Sequence, residues 1–158
     1  MGTEIERKWL VEEVPNGEFI SAKRIVQGYV ISNKNESVRI RCSTDEFNPN
    51  REYEYKMTIK SGSGLVRQET EFDITSDQYD ILWKLTEGKR IFKTRYVFDI
   101  ENGLKAEFDI FKDSIITPLR MVEVEFPDEE TANNFQPLDW FGEEVTENPF
   151  YINANLAR

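Results

Sequence analysis

The sequence predicts an α+β protein built on an antiparallel sheet that carries one charged face. Three observations lead there. Charged and apolar side chains alternate with period two in segment after segment, the pattern of strands whose successive side chains point to opposite faces. Short Gly- and Asn-rich breaks separate those segments, as hairpin turns do. Helical patterns are few, short and confined to positions beyond 74. The alternation alone fits two arrangements. The sheet either closes on itself around a polar tunnel, with its apolar outer face covered by helices, or stays open with its charges in solvent.

The first strand, residues 3–11, puts Glu4, Glu6 and Lys8 on one face and Ile5, Trp9 and Val11 on the other. Two carboxylates and an amine in a row are the parts of a metal-phosphate site: carboxylate oxygens hold a hard cation, and the amine neutralises a phosphoryl oxygen or orients a water. A solvated face looks the same, so the weight lies in repetition. After a break at Asn16-Gly17 comes a strand with Gln27-Gly28-Tyr29, in which Tyr29 shares the parity of Gln27 and Ile31. Facing inward, its hydroxyl would form a catalytic couple with Lys93; otherwise it packs between strands. Beyond Asn33-Lys34-Asn35, residues 38–42 place Arg39 and Arg41 together, with the lone Cys42 opposite as a packing residue. Residues 45–50, with Pro49, form a polar loop.

Residues 53–60 set Lys56, Thr58 and Lys60 against Tyr53, Tyr55, Met57 and Ile59. Ser61-Gly62-Ser63-Gly64 is glycine-rich but lacks the lysine and helix of a P-loop, so it reads as a hairpin turn. Arg67, Glu69 and Glu71 alternate next. Thr75-Ser76 caps a helix over 77–87, with Ile81, Leu82 and Leu85 on its buried side and Gly88 ending it. Lys93 and Arg95 alternate with Phe92, Thr94 and Tyr96; Asn102-Gly103 marks a hairpin. Glu107 and Asp109 alternate with Ala106, Phe108 and Ile110, and Glu123 and Glu125 with Val122, Val124 and Phe126. Pro127 leads into a helix over 128–135, and a partly helical tail runs from 143. Trp9, Trp83 and Trp140 are expected to pack the apolar face under helices. Asn148-Pro149-Phe150-Tyr151 is expected to cap one end of a closed sheet.

The 158 residues suffice for one domain, 1–158, with a real core. Formal net charge is −10. The carboxylates and cations of the alternating faces nearly cancel, so the excess acid belongs on the exterior. That disfavours nucleic acid and anionic membranes as partners. No stretch approaches a membrane span and no apolar signal region opens the chain. A single cysteine excludes an internal disulfide and fits a reducing, cytoplasmic setting. The chain has no histidine. His-based triads and the usual zinc sites are therefore excluded, and any metal must be bound through oxygen, as magnesium, manganese and calcium are.

The order of these motifs resembles the CYTH superfamily of triphosphate tunnel enzymes. The resemblance is carried by Glu4-x-Glu6-x-Lys8, Gln27-Gly28-Tyr29, the Arg39/Arg41 pair and Thr58-Ile59-Lys60-Ser61-Gly62. It continues through Arg67-x-Glu69-x-Glu71, Lys93-Thr94-Arg95-Tyr96, Glu107-x-Asp109, Val122 to Phe126 and Tyr151-x-Asn153-x-Asn155-Leu156-Ala157. It implies a closed eight-stranded antiparallel β-barrel with helices outside, which binds a linear triphosphate and Mg2+ or Mn2+. It assigns Glu4, Glu6, Glu123 and Glu125 to metal, and Arg39, Arg41, Lys60, Lys93 and Arg95 to phosphates, joined by Arg67 and Lys56. Lys8 would meet the terminal phosphate or the attacking water. Glu69, Glu71, Glu107 and Asp109 either join the metal site, with Glu69 and Asp109 counted among its candidate ligands, or pair with tunnel arginines. Inorganic tripolyphosphate is the implied substrate, since few contacts for a base or sugar are evident. ATP cyclisation, thiamine triphosphate hydrolysis and anion binding without turnover are the alternatives, and a homodimer is compatible with all of them.

Overall fold

The computed structural model describes residues 2–48, 50, 52–114 and 116–157; Pro49, in the expected polar loop, lies outside them. The described residues form eight strands: β1 (Gly2–Leu10), β2 (Ser21–Ser32), β3 (Glu36–Asp45), β4 (Tyr53–Ser61), β5 (Val66–Asp73), β6 (Arg90–Asp99), β7 (Lys105–Lys112) and β8 (Arg120–Glu125). They pair in the order β1-β5-β4-β3-β2-β6-β7-β8 and close into a barrel. Closure is made by antiparallel pairing of β8 with β1, from Glu6 opposite Glu125 to Leu10 opposite Met121. The charged faces therefore meet inside, and the open-sheet alternative is eliminated.

The turns are where the sequence placed them. Asn102 and Gly103 both take positive φ, 58° and 72°, in a short 3-10 turn between β6 and β7. Gly62 and Gly64 do the same between β4 and β5, at 89° and 80°. Side chains without a Cβ, or with asparagine's short polar arm, reach this region at little cost.

Outside the barrel, Trp9, Ala106, Phe108, Val122, Val124 and Phe126 form an apolar patch. Helix α2 (Glu129–Asn134) covers it through Ala132, and Phe135, Phe141 and Trp140 complete the cover. The span expected for this helix, 128–135, matches, with Asp128 as the cap accepting from Thr131 N at 2.6 Å. Arg7, on the outer face of β1, donates to the carbonyls of Ala132 and Phe135 at the helix end and pairs with Glu144 at 2.6 Å.

Helix α1 (Ser76–Trp83) opens with the expected cap: Thr75 Oγ1 accepts from Gln78 N, and Gln78 Oε1 accepts from Thr75 N. It stops at Trp83 rather than running to 87. Arg90 donates to the Trp83 carbonyl at 2.9 Å, and the chain beyond closes in tight turns, Thr86 N to Trp83 O and Lys89 N to Thr86 O. Of the face expected to be buried, only Leu82 is half-buried. Ile81 is 66% and Leu85 59% exposed, whereas Tyr79 is buried against Tyr55 and Trp83. Trp83 itself lies on the helix, under the Arg90 guanidinium. Trp9 and Trp140 pack as expected.

One end of the barrel is filled. Tyr29, Ile91 and Met121 are buried there with Leu119, Val145 and Leu156, and Leu10, Phe111, Tyr151 and Ala154 pack against them. Leu156 and Ala154 come from the short helix α3 (Asn153–Leu156), which follows a 3-10 turn over Pro149–Tyr151. The tail thus closes the barrel as expected, but the residues that face the interior are Ile152, Asn153 and Ala154. No helix among the described residues is long and apolar enough to cross a membrane.

Candidate active site in the barrel interior

Strand parity brings nearly every expected site residue into one cavity of about 210 Å3, lined by Glu4, Glu6, Lys8, Tyr29, Arg39, Arg41, Lys60, Arg67, Glu69, Glu71, Arg95, Glu107, Glu123 and Glu125. Register sets the neighbours: Glu4 lies opposite Arg67, Lys8 opposite Glu123, Arg39 opposite Thr58 and Glu107 opposite Glu123. A wider mouth opens on the side away from α3, lined by Ile20, Lys23, Ile25, Lys56, Val97, Leu104 and Phe126 among others.

Many of these charges satisfy one another. Lys60 Nζ lies 2.9 Å from Glu4 Oε1 and 3.5 Å from Glu69 Oε2. Arg95 donates through Nε and Nη2, one edge of its guanidinium, to the two oxygens of Asp109 at 2.7 and 2.8 Å, and reaches Glu107 through Nη1 at 2.8 Å and Glu123 at 3.7 Å. Thr58 Oγ1 links Arg39 to Glu71, accepting from the first at 3.2 Å and donating to the second at 2.8 Å.

Others have no such partner. Among the described residues, Lys8, Arg41 and Arg67 have no carboxylate oxygen within 4.0 Å, and Glu6 and Glu125 have no cationic nitrogen that close. The Nε groups of Arg39 and Arg67 are buried without a hydrogen-bond partner. Burial, then the neighbouring Glu123, pushes the Glu6 carboxyl up to about 7. Burial also raises Glu4 and Glu125. For Glu123 burial works the same way, but Arg95, Lys8 and Lys93 outweigh it and hold the carboxyl low. Burial, then Arg39 and Arg95, lowers Arg41, which as a guanidinium remains a cation.

Four expectations are revised, those for Asp109, Lys93, Tyr29 and Lys56. Asp109, expected either at the metal or paired with a tunnel arginine, takes the second arrangement: it does not line the cavity, and its oxygens are held by Arg95 and Lys93, whose attraction outweighs burial and keeps it ionised far below the usual range. Lys93, expected at the phosphates, shares the inward parity of Arg95 but is fully buried toward the closed end, 2.8 Å from Asp109 Oδ2 but off the hydrogen-bond direction, and 5.2 Å from the Phe111 ring centre. Burial lowers its pKa to about 8 despite Asp109. Tyr29 does point inward, yet no hydrogen bond joins it to Lys93 among the described residues. A register shift between Tyr29 and Ile31 turns Ile31 out to solvent, so the two do not share a face. Lys56 sits at the mouth, paired with Asp73 at 3.1 Å, rather than among the deep cations.

Reading by sequence passed over Thr58 as a linker, Gln27 as a partner of Arg41, and Asn153 as part of the lining. Parity marks the first two; nothing local marks the third, which the tail's return delivers.

A divalent cation fits this donor set. Glu6 is a buried carboxylate with no cationic nitrogen within 4.0 Å among the described residues, beside Glu4, Glu123 and Glu125, and all offer hard oxygen. Among the described residues no three acidic groups form a ready-made cage. That suits magnesium-type binding, where one or two carboxylates share the ion with water and substrate phosphate.

No protein-family model matches the chain. It is 44% identical over 155 residues to the inorganic triphosphatase of Nitrosomonas europaea, covering 98% of this chain and 97% of that protein. To the inorganic triphosphatase of Acetivibrio thermocellus it is 36% identical over 160 residues, covering 100% and 95%. The crystal structure of the inorganic triphosphatase NE1496 superposes with a TM-score of 0.68 at 42% identity, covering 99% and 95% of the two chains. With the barrel, its interior charges and these likenesses along its whole length, the chain belongs to the CYTH superfamily, in the family of the inorganic triphosphatases.

Proposed function

We propose that the protein hydrolyses inorganic tripolyphosphate to pyrophosphate and orthophosphate, with Mg2+ or Mn2+ bound at Glu6 and Glu4 and assisted by Glu123 and Glu125. The observation that supports this best is the set of unpaired charges: Lys8, Arg41 and Arg67 on one side, Glu6 and Glu125 on the other. A linear triphosphate with its cation supplies a counter-charge to each. Arg39 and Arg41 give forked contacts to phosphate oxygens, and Arg67 lines the cavity from β5, two strands away. Lys8, buried beside Glu123, takes the terminal phosphate. Water attacks its phosphorus, the bond to the bridging oxygen breaks, and pyrophosphate carries away the electron pair. The transferred group needs little covalent help, so positioning and charge stabilisation make up most of the catalysis. The bound metal would neutralise phosphate oxygens and acidify a water. The lone, unbridged Cys42 agrees with a reducing cytoplasm.

Orthophosphate release is measured with tripolyphosphate, ATP and thiamine triphosphate, each with magnesium, manganese or chelator, alongside a cyclic AMP assay. Tripolyphosphate with metal is expected to give the fastest release, chelator to stop it, and no cyclic AMP to form. Efficient cyclic AMP formation would replace this reading with a cyclase, and tight binding without turnover would replace it with a sensor.

A further inference from the structure

Gln27 lies mid-way along β2 with no solvent exposure, opposite Arg41 of β3 and Ile91 of β6. Its Oε1 accepts a hydrogen bond from Arg41 Nε at 3.0 Å. Its Nε2 finds no hydrogen-bond partner among the described residues. A buried donor left unpaired opposes folding, and an apolar side chain of equal size would avoid that cost. The acceptor is therefore what distinguishes glutamine here.

The two arginines Arg41 and Arg95 both line the cavity and are held in opposite ways. Arg95 is surrounded by Asp109, Glu107 and Glu123, so its charge is spent within the protein. Arg41 has no carboxylate within 4.0 Å among the described residues, and its recorded side-chain hydrogen bond is the one to a neutral amide. A guanidinium gripped at Nε from the side keeps its terminal nitrogens free and fixes the plane in which they point.

We propose that Gln27 is a positioning residue for substrate binding: its amide oxygen holds Arg41 by Nε and aims an uncancelled guanidinium at the oxygens of an oligophosphate. The proposal rests on the reading of the cavity as a phosphate site and deepens it. Neutrality is part of the design. A carboxylate at position 27 would hold Arg41 equally well but compete with phosphate for its charge.

The test compares the wild type with Gln27→Leu, Gln27→Glu, Arg41→Ala and the double variant Gln27→Leu/Arg41→Ala. Each is assayed for KM and kcat with tripolyphosphate and for melting temperature. Gln27→Leu is expected to raise KM about tenfold, the loss of one hydrogen bond to a charged group, with kcat within about threefold. In the Arg41→Ala background the same change is expected to alter KM less than about twofold, because two residues acting through one contact are not additive. Gln27→Glu is expected to raise KM at least as much as Gln27→Leu. A purely structural glutamine would instead lower the melting temperature equally in both backgrounds and leave KM alone. Equal KM effects in the two backgrounds, or a wild-type KM in Gln27→Leu, would overturn the proposal. Should Gln27→Leu not fold, Gln27→Glu decides: a wild-type KM there overturns it. A wild-type KM in Arg41→Ala would overturn both this proposal and the phosphate reading beneath it. A raised KM in Arg41→Ala with no effect of position 27 would remove the proposal and leave that reading standing.

Discussion

Glu6 and Lys8 sit one strand repeat apart on β1, and each faces the cavity without an opposite charge within 4.0 Å among the described residues. Such groups are costly to bury alone, which ties them to a ligand rather than to the fold. Glu6→Gln keeps the size and the hydrogen bonding while removing the charge. Divalent-dependent release of orthophosphate is expected to fall to background, with circular dichroism unchanged; near-normal turnover would take the metal away from Glu6. Lys8→Ala is expected to lower kcat more than it raises KM, since an interaction made chiefly at the reacting phosphate stabilises the transition state above the ground state. A larger change in KM than in kcat would move Lys8 to simple substrate binding.

Strands and helices were legible to different degrees. The strand residues announced themselves because period two sorts Arg39, Arg41, Lys60, Glu69, Glu107 and Glu123 onto one face regardless of context. The same rule hid the barrel's closed end. Leu10, Ile91, Phe111 and Met121 have the parity of the charged residues, and only three-dimensional depth separates them from Lys8, Lys93, Asp109 and Glu123. Depth also explains Lys93 and Asp109: the sequence left Asp109 open between metal and an arginine partner and gave Lys93 to phosphate, whereas low in the barrel the two neutralise each other, with Arg95 on the other side of the carboxylate. Helix α1 was located by its cap yet its buried face was misjudged, because aromatic stacking of Tyr79 outweighed the aliphatic stripe. The helix is seated by Gly28. A Cβ there would come within 2.6 Å of Thr86, in the turn that follows α1. Gly28→Ala is expected to destabilise the protein by about 1–3 kcal/mol in urea unfolding, as overpacking does. An unchanged midpoint would show that the turn can shift away freely.

At the scale of the whole molecule the buried carboxyls of the interior make stability fall toward neutral pH. For a carboxyl raised by folding, stability is fully present below its ordinary value of 4.5 and is lost as pH climbs through the folded value, about 7 for Glu6. By that linkage Glu6 alone removes on the order of 3 kcal/mol between pH 4.5 and 8. Metal-free protein is expected to melt at lower temperature at pH 8 than at pH 5.5, and Glu6→Gln to flatten the slope. Added magnesium or manganese is expected to restore more stability at the higher pH, as ligands that bind the native state do. A slope identical in Glu6→Gln would assign the effect elsewhere. The apolar floor built by Ile91, Met121 and Leu156 has a kinetic consequence as well. A vessel with one opening empties in the reverse of the order in which it was filled. If the terminal phosphate enters first and is cut at Lys8, pyrophosphate lies between orthophosphate and the exit, so pyrophosphate leaves first and orthophosphate last. Orthophosphate is then expected to inhibit competitively against tripolyphosphate and pyrophosphate non-competitively, and competitive inhibition by pyrophosphate alone would mean that the substrate goes in the other way round. On the same dead end a longer linear phosphate is expected to behave as a queue, shortened one phosphate at a time from its tip and never cut in the middle.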